Sequence, residues 1–358
     1  MSHHLLKIKS NKKNKKKRCY IKKTNALIKN LIKGMIIFLV FIFSIKKFFK
    51  TNYIHVALNI DNNFIYPCIV LLTSLLMNRA ASTFYIIHLL FGGNTKIDSF
   101  QKINETIAKF GKYHSNISYY NMGDKYINAT SGIIITTAAY YRISLSSLLT
   151  NVDKIIYIDS DFINFKDLSK IYNIKFKDKM YFIGFLDYPV AALELKIFKI
   201  HTDKYINSGF LLMNLKAIRN DKIEDKLNEI ISKRLMNHHD QTAINSICHN
   251  NMQILSYKYG SFAFDHFDAV INFNNKQKVK YRYTKNELKQ GYNTPFLLHF
   301  TGYVKPWHKH CANKRRVYWW YYAKESLFYQ EILDNYGFKR EKIEELLKSI
   351  PKHGSLLK

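Results

Sequence analysis

From Tyr53 onward the chain alternates between two kinds of apolar pattern. YIHVALNI (53–60), TFYIIHLLF (83–91) and KIIYI (154–158) are short, nearly unbroken apolar runs rich in β-branched and aromatic residues, and they predict buried strands. Shorter runs at 117–120, 181–185 (YFIGF) and 209–214 (GFLLMN) predict three more. Between them, 64–79, 96–111, 137–149, 222–235 and 240–249 carry apolar positions at helical spacing. Strands that are apolar throughout must be covered on both faces, and intervening helices supply that cover. The expected fold is therefore α/β, built on a mixed, mostly parallel sheet. In such sheets ligands bind beyond the carboxyl ends of the strands.

The first 50 residues break the pattern. They hold a solvated basic block, KIKSNKKNKKKRCYIKK (7–23), and then a 12-residue apolar run, GMIIFLVFIFSI (34–45), flanked by lysines. As a helix this run measures roughly 18 Å, against about 30 Å of bilayer hydrocarbon. Leu27, Ile28, Leu31 and Ile32 extend it into an amphipathic stripe, so peripheral attachment to an anionic membrane surface is expected. A single-pass span through 34–45 and a true start at Met35 are the alternatives. The expected organisation is a basic tail (1–50), a globular domain (51–308) and a helical, basic and aromatic extension (309–358). KRRVYWWYYAKES (314–326) in that extension suits either an anionic lipid-linked glycan or packing on the domain.

Charge sharpens this picture. The 358 residues carry a net charge of +30, half of it in residues 1–50, where no Asp or Glu occurs. A hydrophobic fraction of 47% excludes a disordered chain. Four cysteines without C-x-x-C spacing exclude a zinc module or disulfide scaffold and fit a reducing compartment. No phosphate-loop, dinucleotide or nucleophile-elbow motif is present. The basic block lies in the tail and no nucleic-acid motif accompanies it, so specific nucleic-acid binding is not expected.

Three groups of residues carry chemistry. Asp159-Ser160-Asp161 ends the strand KIIYI. Residues i and i+2 of an extended chain point the same way, so their carboxylates repel unless a cation lies between them, and Mg²⁺ or Mn²⁺ suits such oxygen ligands. HFTGYVKPWH (299–308) sets His299, Gly302, Lys305 and Trp307 in one loop after an apolar run, combining an imidazole, a permissive backbone and a phosphate-binding charge. INSGFLLMNL (206–215) and DQTAIN (240–245) place amides and carboxylates beside apolar runs, where a polyhydroxylated ligand would satisfy them.

Taken in order, HVALNIDNNF, TTAAYYRISL (136–145), KIIYIDSDFI (154–163), INSGFLLMNL with DQTAIN, and HFTGYVKPWH resemble the family 8 retaining glycosyltransferases, most closely the bacterial lipopolysaccharide core glucosyl- and galactosyltransferases. The resemblance runs from Tyr53 to Trp307. It implies a GT-A fold, a UDP-sugar donor, a glycan or lipid-linked glycan acceptor and a Mn²⁺ (or Mg²⁺) cofactor. It implies that Asp159, Asp161 and His299 hold the metal, with Ser160 between the two carboxylates in the nucleotide-sugar site. Asp61 and Asn63 fall at the uracil and ribose positions. Phe64 stands where the family usually has Tyr, keeping the ring but losing a hydroxyl, and Asn59 replaces a small residue. Arg142, Gly302 and Lys305 match diphosphate positions. Asp187, Asn207, Asp240 and Gln241 match sugar-binding positions, the catalytic candidates being Gln241, Asp187 and Asp240. An amide is a poor nucleophile, so Gln241 favours same-face substitution, with the two carboxylates as sugar anchors or nucleophiles. The expected location is the cytoplasmic face of a bacterial inner membrane. Two alternatives stand beside this reading: a glycan-binding relative without activity, and an Asp-based phosphohydrolase. Against the phosphohydrolase, the Asp pair is mid-chain and Ile163 takes the place of the usual Thr or Val.

Overall fold

A computed structural model describes residues 28–38, 51–127, 129, 137–188, 195–196, 198–200, 204–233, 238–276 and 283–350. The chain divides into two units, Met1–Thr51 and Asn52–Lys358. In the first, residues 28–38 form a helix with every side chain exposed, and the basic block and most of the 34–45 run lie outside the described residues. Among the described residues no helix is long and apolar enough to cross a membrane.

The second unit is built on strands β1 (Asn52–Ile60), β2 (Thr83–Phe91), β3 (Ser115–Asn121), β4 (Lys154–Ile158), β5 (Phe162–Asn164), β6 (Phe182–Leu186), β7 (Ile206–Asn214), β8 (Met252–Ile254), β9 (Gly260–Phe262) and β10 (Leu297–His299). Seven form one sheet in the order β3-β2-β1-β4-β7-β6-β8. β3, β2, β1 and β4 are mutually parallel, and β7 runs antiparallel to both β4 and β6. The sheet is mixed because β7 returns between two strands of the other sense. β5, β10 and β9 make a second, three-stranded sheet.

The continuous apolar runs are explained by a core on each side of the large sheet. Ile54, Val56, Leu58 and Ile60 of β1 belong to one core, whereas Ala57 belongs to the other. The helix Ile65–Met77 buries 11 of its 13 residues, packed between the sheet and the helices Ile97–Gly111 and Arg316–Glu325. Residues 137–144, expected as helix, form a 3-10 turn that continues into the short α-helix Leu145–Leu148.

Three helices, Arg316–Glu325, Tyr329–Tyr336 and Arg340–Leu347, follow the second sheet. Trp319 and Trp320 are fully buried and Tyr322 nearly so, all within the first core. Of the two uses foreseen for this aromatic stretch, packing on the domain is the one the geometry displays.

One buried polar group gives the fold a pH dependence. His88 on β2 meets His55 Nδ1 through its Nε2 at 2.9 Å and Tyr120 Oη through its Nδ1 at 3.0 Å. Burial, with His55 adding, depresses the His88 imidazole to about 4. The unfolded chain takes up that proton near 6.5. Stability from this group is therefore complete above about 6.5 and lost as pH falls toward 4, by up to about 3 kcal/mol. His88→Gln is expected to flatten the fall in melting temperature across that window. Equal falls in both proteins would contradict this assignment.

Candidate active site

A cavity of about 780 Å³ opens beyond the carboxyl ends of β1, β4 and β6, and every site residue singled out from the sequence lines it. Its charge runs against that of the whole chain. Among the described residues, Asp61, Asp159, Asp161, Asp187 and Asp240 face it together with one arginine, Arg142, and one lysine, Lys305.

Strand geometry builds the centre. β4 ends at Ile158 and the chain turns through Asp159-Ser160-Asp161 into β5. β10 pairs antiparallel with β5, placing His299 opposite Phe162. His299 Nε2 thereby lies 3.3 Å from Asp161 Oδ1. The imidazole is fixed by stacking on Phe162 at 4.0 Å and by Phe262 at 5.7 Å. Gly209 on β7 leaves the space between His299 and Asp159. A Cβ there would stand 2.9 Å from His299 Cε1 and 3.0 Å from Asp159 Oδ2.

Each carboxylate of the pair has its own cation. Arg142 is buried, and its Nη2 donates to Asp159 Oδ1 at 2.9 Å. Its Nε donates to the Ala139 carbonyl and stands 3.2 Å from Asp240 Oδ2, while Nη1 donates to the Ser208 carbonyl. The guanidinium also lies 4.2 Å from the Tyr157 ring centroid. The arginine assigned to the diphosphate by resemblance is thus engaged in bridging two carboxylates. Lys305 Nζ donates to Asp161 Oδ2 at 2.6 Å and to the Phe300 carbonyl at 2.9 Å. Gly302, at φ +87°, makes the turn that brings this lysine back.

Burial raises the Asp159 carboxyl, with Arg142 opposing and Asp161 adding to the rise. Burial also pushes Asp161 up, but Lys305 and His299 outweigh it and hold that carboxyl well below the ordinary range. Burial raises Asp240 against the pull of Arg142. Among the described residues no three His, Cys, Asp or Glu groups form a ready-made metal cluster, and Arg142 and Lys305 each hold one carboxylate of the pair.

The sugar-side amides form one network. Asn207 Nδ2 and Gln241 Nε2 both donate to Asp187 Oδ2, at 3.0 and 2.7 Å. Gln241 Oε1 accepts from Ser208 N at 3.0 Å, and Asn207 Oδ1 from Gly209 N at 2.9 Å. At the other end, Asp61 Oδ1 accepts from Asn63 N at 2.8 Å, and Phe64 packs edge-on against Trp307. Ser160 Oγ donates to the Asn59 carbonyl at 3.2 Å.

Sequence reasoning missed Tyr157, Tyr188 and Ser208. The Tyr157 hydroxyl lies between Asp159 Oδ1 and Asn59 Oδ1, which also accounts for the unexpected asparagine. Inside an apolar strand, Tyr157 reads only as core.

The mixed sheet, with a cavity beyond its carboxyl ends and the aspartate pair at the end of β4, is the arrangement expected from the sequence. The sequence profile of glycosyl transferase family 8 matches residues 55–311, and the chain belongs to that family. It is 26% identical over 288 residues to General stress protein A of Bacillus subtilis (strain 168), covering 76% of this chain and 94% of that protein. It is 24% identical over 268 residues to the lipopolysaccharide 1,2-glucosyltransferase of Escherichia coli (strain K12), covering 72% and 73%. The solved galactosyltransferase LgtC, in complex with donor and acceptor sugar analogs, shares the fold with a TM-score of 0.65 at 19% identity, over 79% of this chain and 100% of that one. Other curated relatives, from Haemophilus influenzae and Streptococcus pneumoniae, are matched over about half of their length or less.

Proposed function

We propose that this glycosyltransferase moves a hexose, glucose or galactose, from a UDP-sugar to a glycan acceptor of the lipopolysaccharide or lipooligosaccharide core, with retention and with a divalent metal. The observation that carries the reading is the acidic cavity in a strongly basic chain. A nucleotide diphosphate is repelled by five aspartates unless a dication joins them.

The residues present fit such an ion. Asp161 Oδ1 is buried beside His299 Nε2, and Asp159 Oδ2 and His299 face the space left by Gly209. Two carboxylate oxygens and an imidazole are a donor set for Mn²⁺ or Mg²⁺. When bound, the metal supplies neutralisation of charge growing on the departing diphosphate.

The chain's own groups do the rest. Asp61 and Asn63 hold the nucleoside and Phe64 packs on its base. Lys305 turns its ammonium to the diphosphate beside the Gly302 backbone. Asp187, oriented by Asn207 and Gln241, anchors sugar hydroxyls. Both ends of the Gln241 amide are engaged, so it serves as a positioning group and not as a nucleophile. That favours attack from the face the nucleotide leaves, with a diphosphate oxygen accepting the acceptor proton. The basic segment 1–50 holds the enzyme to an anionic membrane surface, from which a high-salt wash would then release it.

A panel of UDP-hexoses with Mn²⁺, scored by UDP release with and without acceptor, tests the reading. Release from UDP-glucose or UDP-galactose is expected. Silence across the panel would favour a glycan-binding protein without activity. Lys305→Ala is expected to weaken UDP binding by about tenfold or more, since a charge-assisted contact contributes roughly 1.5–3 kcal/mol. Unchanged affinity by calorimetry would take Lys305 out of the diphosphate site.

A further inference from the structure

The strand order lays the site out as a line. β1, β4, β7 and β6 are neighbours, so Asp61 after β1 and Asp187 after β6 stand about three strand spacings, roughly 14 Å, apart. Between them lie Asp159 at the end of β4 and Asn207 on β7. Nucleoside, metal and sugar groups fill this line from β1 to Asp187. Tyr188, which follows Asp187, also lines the cavity and takes no part in that line.

The Tyr188 ring is held from one side by other rings. It stacks on Phe262 at 5.5 Å and 21°, and it meets Phe264 and Phe273 at steep angles, at 5.9 and 5.1 Å. Phe262 in turn packs against His299, so the same aromatic block that fixes the imidazole fixes this ring. Tyr188 is nevertheless 36% exposed, and it lines the cavity. Its backbone N–H donates to Asp187 Oδ1 at 2.6 Å, tying ring and carboxylate together. Burial and the Asp187 charge push its phenol up to about 12, so the hydroxyl keeps its proton as a donor.

A pre-ordered aromatic surface beside a carboxylate matches one ligand chemistry in particular. A pyranose has an apolar C–H face and a rim of hydroxyls, so the ring takes the face and polar groups take the rim. The donor sugar is already met by Asp187, Asn207 and Gln241. We propose that Tyr188 is the platform of the acceptor subsite, seating the C–H face of an acceptor pyranose against its ring beside Asp187. This rests on the donor assignment above.

Saturation-transfer NMR tests it with methyl β-D-glucopyranoside and methyl β-D-galactopyranoside as probes, in the presence of UDP and Mg²⁺, alongside UDP affinity by calorimetry. Wild type and Tyr188→Phe are expected to saturate the ring protons of at least one probe. Tyr188→Ala is expected to lose about tenfold in glycoside affinity, with UDP affinity within about twofold, as expected for a residue outside the diphosphate site. Retention of the glycoside signal in Tyr188→Ala, an equal loss of UDP affinity, or no glycoside signal in the wild type would each overturn the platform. Glycoside binding by a wild-type protein that has no affinity for UDP would overturn the donor assignment and leave the platform standing.

Discussion

Asp161→Asn is expected to lower the rate of UDP release by about a thousandfold or more, the scale of losing a main electrostatic support of a transition state. The substitution keeps shape and removes one charge. On the proposed assignment it leaves the metal a neutral amide in place of the carboxylate beside His299, and Lys305 loses its charge partner. The loss should appear in kcat and in UDP affinity with Mn²⁺ present, while circular dichroism stays native. A variant within tenfold of wild type in turnover would remove Asp161 from the metal set.

Arg142→Leu is expected to act on stability first. Arg142 is the cation paired with both Asp159 and Asp240, and both carboxylates are pulled from water. Removing one partner of a buried ion pair costs about 3–5 kcal/mol, because the remaining charge stays buried. The deficit has a pH signature. Without the guanidinium, both folded carboxyls titrate still further above their unfolded value near 3.9. The folded state then binds the extra protons, so the variant recovers stability as pH falls. Thermal unfolding at pH 7.5 and 5.5 reads this as a gap to wild type that narrows at the lower pH. A gap that is small, or the same at both values, would contradict the bridging role.

These two residues mark how far the sequence could be read. Asp161 was legible because it follows a strand buried on both faces, and β1, β2 and β4 declared themselves by unbroken apolar runs that match the observed Asn52–Ile60, Thr83–Phe91 and Lys154–Ile158 closely. The partner of Asp161 was legible only through the family pattern. His299 reaches it across β5 and β10, three-residue strands too short to show any periodicity. Arg142 was legible as a site residue but not in its partners, since Asp159 and Asp240 lie on elements that only the folded sheet brings together. The antiparallel placement of β7 between β4 and β6 is a property of pairing, and a buried strand has the same composition in either sense. Trp319 and Trp320 left two readings open. An aromatic run among arginines suits a lipid interface and a buried helix equally, and the choice depends on whether the first core has room for it.

Calorimetric titration of UDP into metal-stripped protein, with and without Mn²⁺, is the most direct check on the idea that an acidic cavity accepts a diphosphate only through a dication. UDP affinity is expected to rise by about 100-fold or more on adding Mn²⁺, the scale of reversing the sign of a close charge contact. Equal UDP affinity in Mn²⁺ and in EDTA would contradict the account.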